Sequence, residues 1–295
     1  MWKLVQIELF KIFRKPRTYI AFAAITAIVG LIQLGFYVDG DTYIKFGMQA
    51  LSDSFNVEGK ILNGYLLAYI ILQTLLVHVP LLIALVAGDM ISGEANMGTL
   101  RLLVSKPISR TNLILSKFMA SAVYTLALLI WMAIWSLFVS LLIFGADDMI
   151  IMKSEVVTQI LKSDTLWRYV AAFGFAALAM VTVASLAFFL SLFAENSIGP
   201  IMACMSIIIV FTILNTLNLP LFNAVKPFLF TSHMLGWKGF FDVQVNSNNE
   251  QIVGSVENLP AVLRSAGILA VHIIIFLSAS IFIFIKHAKI SNHTC

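Results

Sequence analysis

An all-α membrane protein with six transmembrane helices is the fold class that this sequence predicts. Three observations lead there. Hydrophobic types make up 60 % of the 295 residues and charged types only 12 %, against roughly 45–50 % and about 25 % in soluble domains. With a mean hydropathy of +0.95, a soluble fold has too little charge to cover its surface, and the same numbers exclude disorder. Six stretches carry no Asp, Glu, Lys or Arg: 18–38, 61–88, 118–146, 169–194, 196–225 and 265–285. A helix needs about 20 apolar residues to cross the hydrocarbon core, so each stretch crosses once. Their continuity excludes a β-barrel, whose strands read as alternating segments of about ten residues.

The third observation is where the charges fall. Residues 1–17, 89–117, 195 and 286–295 hold 11 Lys+Arg and 4 Asp+Glu, whereas 39–60, 147–168 and 226–264 hold 8 and 11. The positive-inside rule therefore places both termini in the cytoplasm, with the chain multi-pass in the cell membrane. The net charge of +4 follows from topology, and a nucleic-acid partner loses its support. Two cysteines, Cys204 and Cys295, make no disulfide framework.

In chain order, residues 1–17 are too charged to span and read as a separate amphipathic helix on the cytoplasmic interface. At 100° per residue, Trp2, Val5, Leu9, Phe10, Ile12 and Phe13 share one arc, and Lys3, Glu8, Lys11, Arg14 and Lys15 the other. Such a helix lies with its apolar face in the acyl boundary. It is either a plain anchor, or Leu4 and Ile7, apolar residues on the polar arc, contact a partner protein alongside Lys11 and Arg14. Pro16 disfavours helix at Lys15 and makes an elbow into the first span. That span lacks a cleavage site and reads as retained. Residues 18–295 form one transmembrane domain, with spans near 18–38, 61–88, 118–146, 169–194, 196–222 and 265–285.

The loop from Gly88 to Phe118 is too apolar to be solvated and too charged to span. Over 94–105 a helical projection places Glu94, Gly98, Arg101 and Ser105 on one stripe, with Leu100 and its apolar neighbours covering the rest. Glu94 sits near the start of this helix, where a carboxylate complements the helix dipole. Pro107 stops it, and Ser109 can cap the next helix. The stripe serves either as a surface for a partner or as an intramolecular clasp. Between spans five and six, Phe228, Phe230, Trp237, Phe240 and Phe241 predict short interfacial helices at headgroup depth, forming a lid or an exit gate. The polar tail 246–258 reads as exposed.

The residues Glu94, then Gly98-Thr99-Leu100-Arg101, then Pro107-Ile108-Ser109-Arg110, then Lys117-Phe118 resemble the loop between spans two and three of ABC-2 type transporter permeases. The six-span plan, the N-terminal helix and Val225-Lys226-Pro227-Phe228 are similar to the same family. Its bacterial branch of sodium-extrusion, copper-processing and gliding-type permeases is the nearest in character. The resemblance implies a permease, an exporter by its kin, paired with a second permease chain and served by two ABC ATPase subunits. Glu94, Gly98, Thr99, Leu100, Arg101, Pro107, Ser109 and Arg110 would couple to the ATPase, and the cofactors ATP and magnesium would be bound by that partner.

The chain itself shows little chemistry. It has no G-x-x-x-x-G-K-[ST], H-E-x-x-H or G-x-S-x-G, so the common phosphate-cradling and hydrolase signatures are missing and no enzyme activity or resident cofactor is expected. His78 and His272 fall within spans, where ionisable residues are functional candidates. They are either neutral histidines bonded to a neighbouring helix or the base of an intramembrane hydrolase. A non-transporting scaffold is the third reading.

Overall fold

Each long charge-free stretch contains a long helix. The computed structural model describes residues 1–48, 61–99, 108–152, 157–217, 219–244, 246 and 251–291. The chain opens with α1 (Trp2–Arg14), α2 (Pro16–Met48), α3 (Gly64–Ala87) and α4 (Asp89–Asn96). Then come α5 (Arg110–Ala133), a π-helical stretch (Ile134–Val139) and α6 (Ser140–Phe144), which continue one another. A hairpin of β1 (Met149–Met152) and β2 (Val157–Ile160) follows, antiparallel, with Met149 opposite Ile160. After it run α7 (Lys162–Leu190), α8 (Ile198–Thr216), the short α9 (Pro220–Asn223) and α10 (Phe230–Met234), and α11 (Leu259–Ser291). Six of these segments are long and apolar enough to cross a membrane: Pro16–Gly40, Gly64–Asn96, Arg110–Phe144, Lys162–Phe193, Ile198–Thr216 and Leu259–Lys286.

Local chemistry sets the boundaries. Lys15 is extended (φ −84°, ψ 128°) because Pro16 follows it, and Pro16 opens α2 at a position that needs no N–H. The Thr18 hydroxyl closes this elbow by donating to the Ile12 carbonyl at 2.5 Å. Asn63 caps α3, its side chain accepting from the Leu66 N–H, and Ser109 caps α5 by accepting from the Asn112 N–H, as its position predicts. The π stretch offsets the backbone ladder of the third span. There the buried Gln33 amide of α2 donates to the Trp135 carbonyl and the Ser140 hydroxyl.

Two helices make the centre. Within the span windows, 67 % of α7 and 56 % of α3 is buried, against 22 % of α2, 17 % of α11 and 11 % of α8. On α7, Ala172, Ala176, Ala179, Ala184 and Ala187 are fully buried, small enough to admit neighbouring helices closely. Gly64 does the same for α3: a β-carbon there would lie 2.6 Å from Leu141 Cα and 2.7 Å from the Ser140 carbonyl oxygen.

Four sequence expectations are corrected. The helix expected over 94–105 is interrupted at its start: Glu94 lies near the end of Asp89–Asn96, Met97 and Gly98 form a turn, and Thr99 is helical again. Gly98 has left-handed φ (+69°), so Glu94 and Gly98 do not continue one helical stripe; Leu100, Arg101 and Pro107 lie outside the described residues. The fifth span ends at Thr216 rather than 222, because Leu217 turns extended and Pro220 starts a new helix. In α1 the polar-arc residue Glu8 is buried beside Val5 and Ile12 instead of facing outward. The loop aromatics Phe230, Trp237 and Phe241 are buried within the protein, where Tyr69, Tyr169 and Phe211 meet them edge-on or tilted.

Candidate functional site

Four charges from three elements close a ring at the α1 end of the bundle. Helix α1 packs on α5, which carries Glu8 inward to Lys117, a side chain only 1 % exposed. Lys117 Nζ lies 3.0 Å from Glu8 Oε2 and 2.7 Å from Glu94 Oε2. Lys11 Nζ lies 2.8 Å from Glu8 Oε1 and 2.9 Å from Glu94 Oε1. Each carboxylate thus touches both ammonium groups, and each ammonium both carboxylates. Lys117 and Glu94 thus form a close, buried ion pair. Partial burial works against the charge on Lys11, but the hydrogen bonds and charges of Glu8 and Glu94 outweigh it and raise its pKa.

A second cluster sits beside the ring on Asp89, the first residue of α4. It accepts from Lys15 Nζ at 2.7 Å, pairs with Arg17 and accepts from the Ser197 hydroxyl just before α8. Four acceptor positions on Glu94 and Asp89 therefore tie α4 to α1, the elbow, α5 and the start of α8. Buried charges survive only when paired in this way, since removing one partner leaves the other uncompensated. Mechanically, α4 cannot shift without moving the ends of three long helices.

The opposite end holds a second buried pair. Arg168 donates to Asp164 Oδ2 from both Nε (3.0 Å) and Nη2 (2.6 Å), and reaches the Phe240 and Ser255 carbonyls at 2.6 Å each. Asp164 also accepts from Trp167 Nε1, Gln251 Nε2 and the Gly254 N–H. Residues 252–254 are exposed, as the sequence reads, and 251–255 are nonetheless tied to α7.

The remaining sequence candidates are scattered. Thr99 donates to the Glu94 carbonyl at 3.3 Å, Ser109 is exposed and capping, and Arg110 is half-buried. Leu4 is half-buried, Ile7 exposed, and Arg14 stacks on the Phe10 ring at 4.8 Å. His78 is exposed on α3 and His272 half-buried on α11. Each engages through Nδ1 the carbonyl four residues earlier, Thr74 and Ile268, so the two histidines are not brought to one site. Among the described residues no group of three or more His, Cys, Asp or Glu is placed to hold a metal.

Sequence reasoning missed Glu8, Asp89, Lys117, Asp164 and Arg168 as site residues. A signal existed for two pairs: Glu8 stands three residues before Lys11, and Asp164 four before Arg168, spacings that face one another on a helix.

A family model described as a protein of unknown function, DUF2705, matches residues 26–288. The chain belongs to the DUF2705 family. The matched stretch runs from within α2 to within α11 and includes Asp89, Glu94, Lys117, Asp164 and Arg168, whereas Glu8, Lys11, Lys15 and Arg17 precede it. No curated protein matches the chain.

Proposed function

We propose that this DUF2705 chain is the permease subunit of an ATP-driven transporter of the ABC-2 type, an exporter whose ATPase is a separate polypeptide. The observation that carries the reading is the four-charge ring. It fastens the helix between the second and third spans to the N-terminal helix and to the third span, so force applied to the segment after Gly98 reaches the spans. In this reading the α1 end faces the cytoplasm of the cell membrane and both termini lie there. Helix α1 rests at the interface, with exposed Trp2, Phe10 and Arg14 toward lipid.

Thr99, Leu100, Arg101, Pro107, Ser109 and Arg110 contact the ATPase, while Glu94 transmits the push rather than receiving it. Two ATPase subunits, holding ATP and magnesium, act on a pair of permeases whose exposed helix faces meet lipid and each other. The substrate path opens between permeases when the ATPases close.

Purification from native membranes into nanodiscs tests this. The chain should bring a nucleotide-hydrolysing subunit, and cysteines at Ser109 should react with an impermeant thiol reagent only after permeabilisation. A stable chain free of any ATPase, or Ser109 labelled from outside, overturns it.

A further inference from the structure

At the hairpin end, a side-chain hydrogen bond joins α10 to the second turn of α11. His233 Nδ1 lies 3.0 Å from Ser265 Oγ, and His233 Nε2 lies 2.9 Å from the Pro227 carbonyl oxygen. A backbone carbonyl only accepts, so Nε2 bears the ring proton. Nδ1 then holds the lone pair and accepts from the Ser265 hydroxyl. A hydroxyl, a base within hydrogen-bond reach and a third group fixing the base is the arrangement that activates a serine. Both side chains are half-buried, shielded yet reachable. The neighbours in sequence, Phe228, Leu235 and Leu263, are exposed apolar residues, suited to an acyl chain.

We propose that Ser265 and His233 form an acyl-transfer dyad acting on esters with apolar acyl chains. Ser265 Oγ adds to the ester carbonyl carbon while its proton passes to His233 Nδ1. The carbon–oxygen bond to the alcohol breaks, and the alcohol leaves with that proton. Water, deprotonated by the same nitrogen, cleaves the acyl-serine, releases the carboxylic acid and restores the hydroxyl. The activity is independent of the transport reading, since it needs no ATPase and uses neither charge cluster.

The test uses the full chain in nanodiscs without the ATPase, a fluorophosphonate probe and 4-methylumbelliferyl laurate. Labelling and ester cleavage should vanish in Ser265→Ala and fall about 100-fold in His233→Gln, the usual worth of a general base. Both should persist in Ser232→Ala. Wild-type labelling in Ser265→Ala, or no dependence on His233, overturns the proposal. Ser265→Cys, in a background lacking Cys204 and Cys295, covers the case in which Ser265→Ala misfolds. Its alkylation by iodoacetamide should slow at least tenfold on adding His233→Gln, and an unchanged rate overturns the dyad.

Discussion

Replacing Lys117 with Met removes the most deeply buried member of the four-charge ring and nearly keeps its volume. Glu8 and Glu94 are then left to share Lys11, whose side chain is 39 % exposed. Breaking a buried pair by removing one partner costs about 3–5 kcal/mol. Proton uptake caps that cost. An ordinary glutamic acid of pKa about 4.3 is protonated at pH 7 for about 1.36 kcal/mol per pH unit, or roughly 3.7 kcal/mol. Lys117→Met should therefore lose about 3–4 kcal/mol at pH 7.

The sign of its pH dependence follows. The folded variant binds a proton that its unfolded chain does not, so relative to wild type it gains stability as pH falls. At pH 5 the same arithmetic leaves about 1 kcal/mol. Equilibrium unfolding by SDS in mixed micelles, run at pH 5 and pH 7, measures both values. Glu8→Gln added to Lys117→Met should recover most of the loss by removing the surplus carboxylate. A loss below about 1 kcal/mol at pH 7, or an equal loss at both pH values, would show that the ring does not form.

Three further outcomes are expected. Arg168→Ala cuts the bonds to the Phe240 and Ser255 carbonyls, so protease should cleave 242–257 at least tenfold faster, as local opening would allow; an unchanged rate refutes the latch. Gly64→Ala drives a methyl into the Leu141 backbone and should cost about 1–3 kcal/mol in SDS unfolding, whereas a neutral result refutes that close approach. Gly98→Ala places a β-carbon at positive φ and should lower stability by about 1–2 kcal/mol; retained stability would mean that the turn is not left-handed.

The spans were legible because a charge at a helix centre costs roughly 2.5–3.5 kcal/mol to insert, which clears charges from 61–88 or 169–194 whatever the packing. Helix α7 nevertheless starts at Lys162, seven residues before its charge-free window, because Asp164 neutralises Arg168 and both find partners in the loop. The elbow at Pro16 and the cap at Ser109 depend on neighbours in sequence and were readable for that reason. The break at Gly98 was not, since a glycine fits a helical projection as well as a left-handed turn.

Glu8 misled by its arc. Amphipathic reasoning sends charge to water, and only the long-range meeting with Lys117, 109 residues away, makes burial tolerable. The β1–β2 hairpin was hidden in a polar interval too short and mixed to show alternation. The pairing of His233 with Ser265 joins residues 32 apart and leaves no local pattern.

The Asp164–Arg168 pair also bears on how the chain is made. The carbonyls that Arg168 holds belong to residues 72 and 87 positions later. When α7 first leaves the ribosome neither exists. One helical turn separates the two charges, so each can shield the other during insertion, and the fourth span need not wait for the rest of the protein. The guanidinium's spare donors then act as a molecular receipt for synthesis: they are filled only when the later loop has been made and delivered to the correct face. A chain interrupted before residue 240 would hold five of the six apolar helices and still lack both carbonyls that Arg168 reaches.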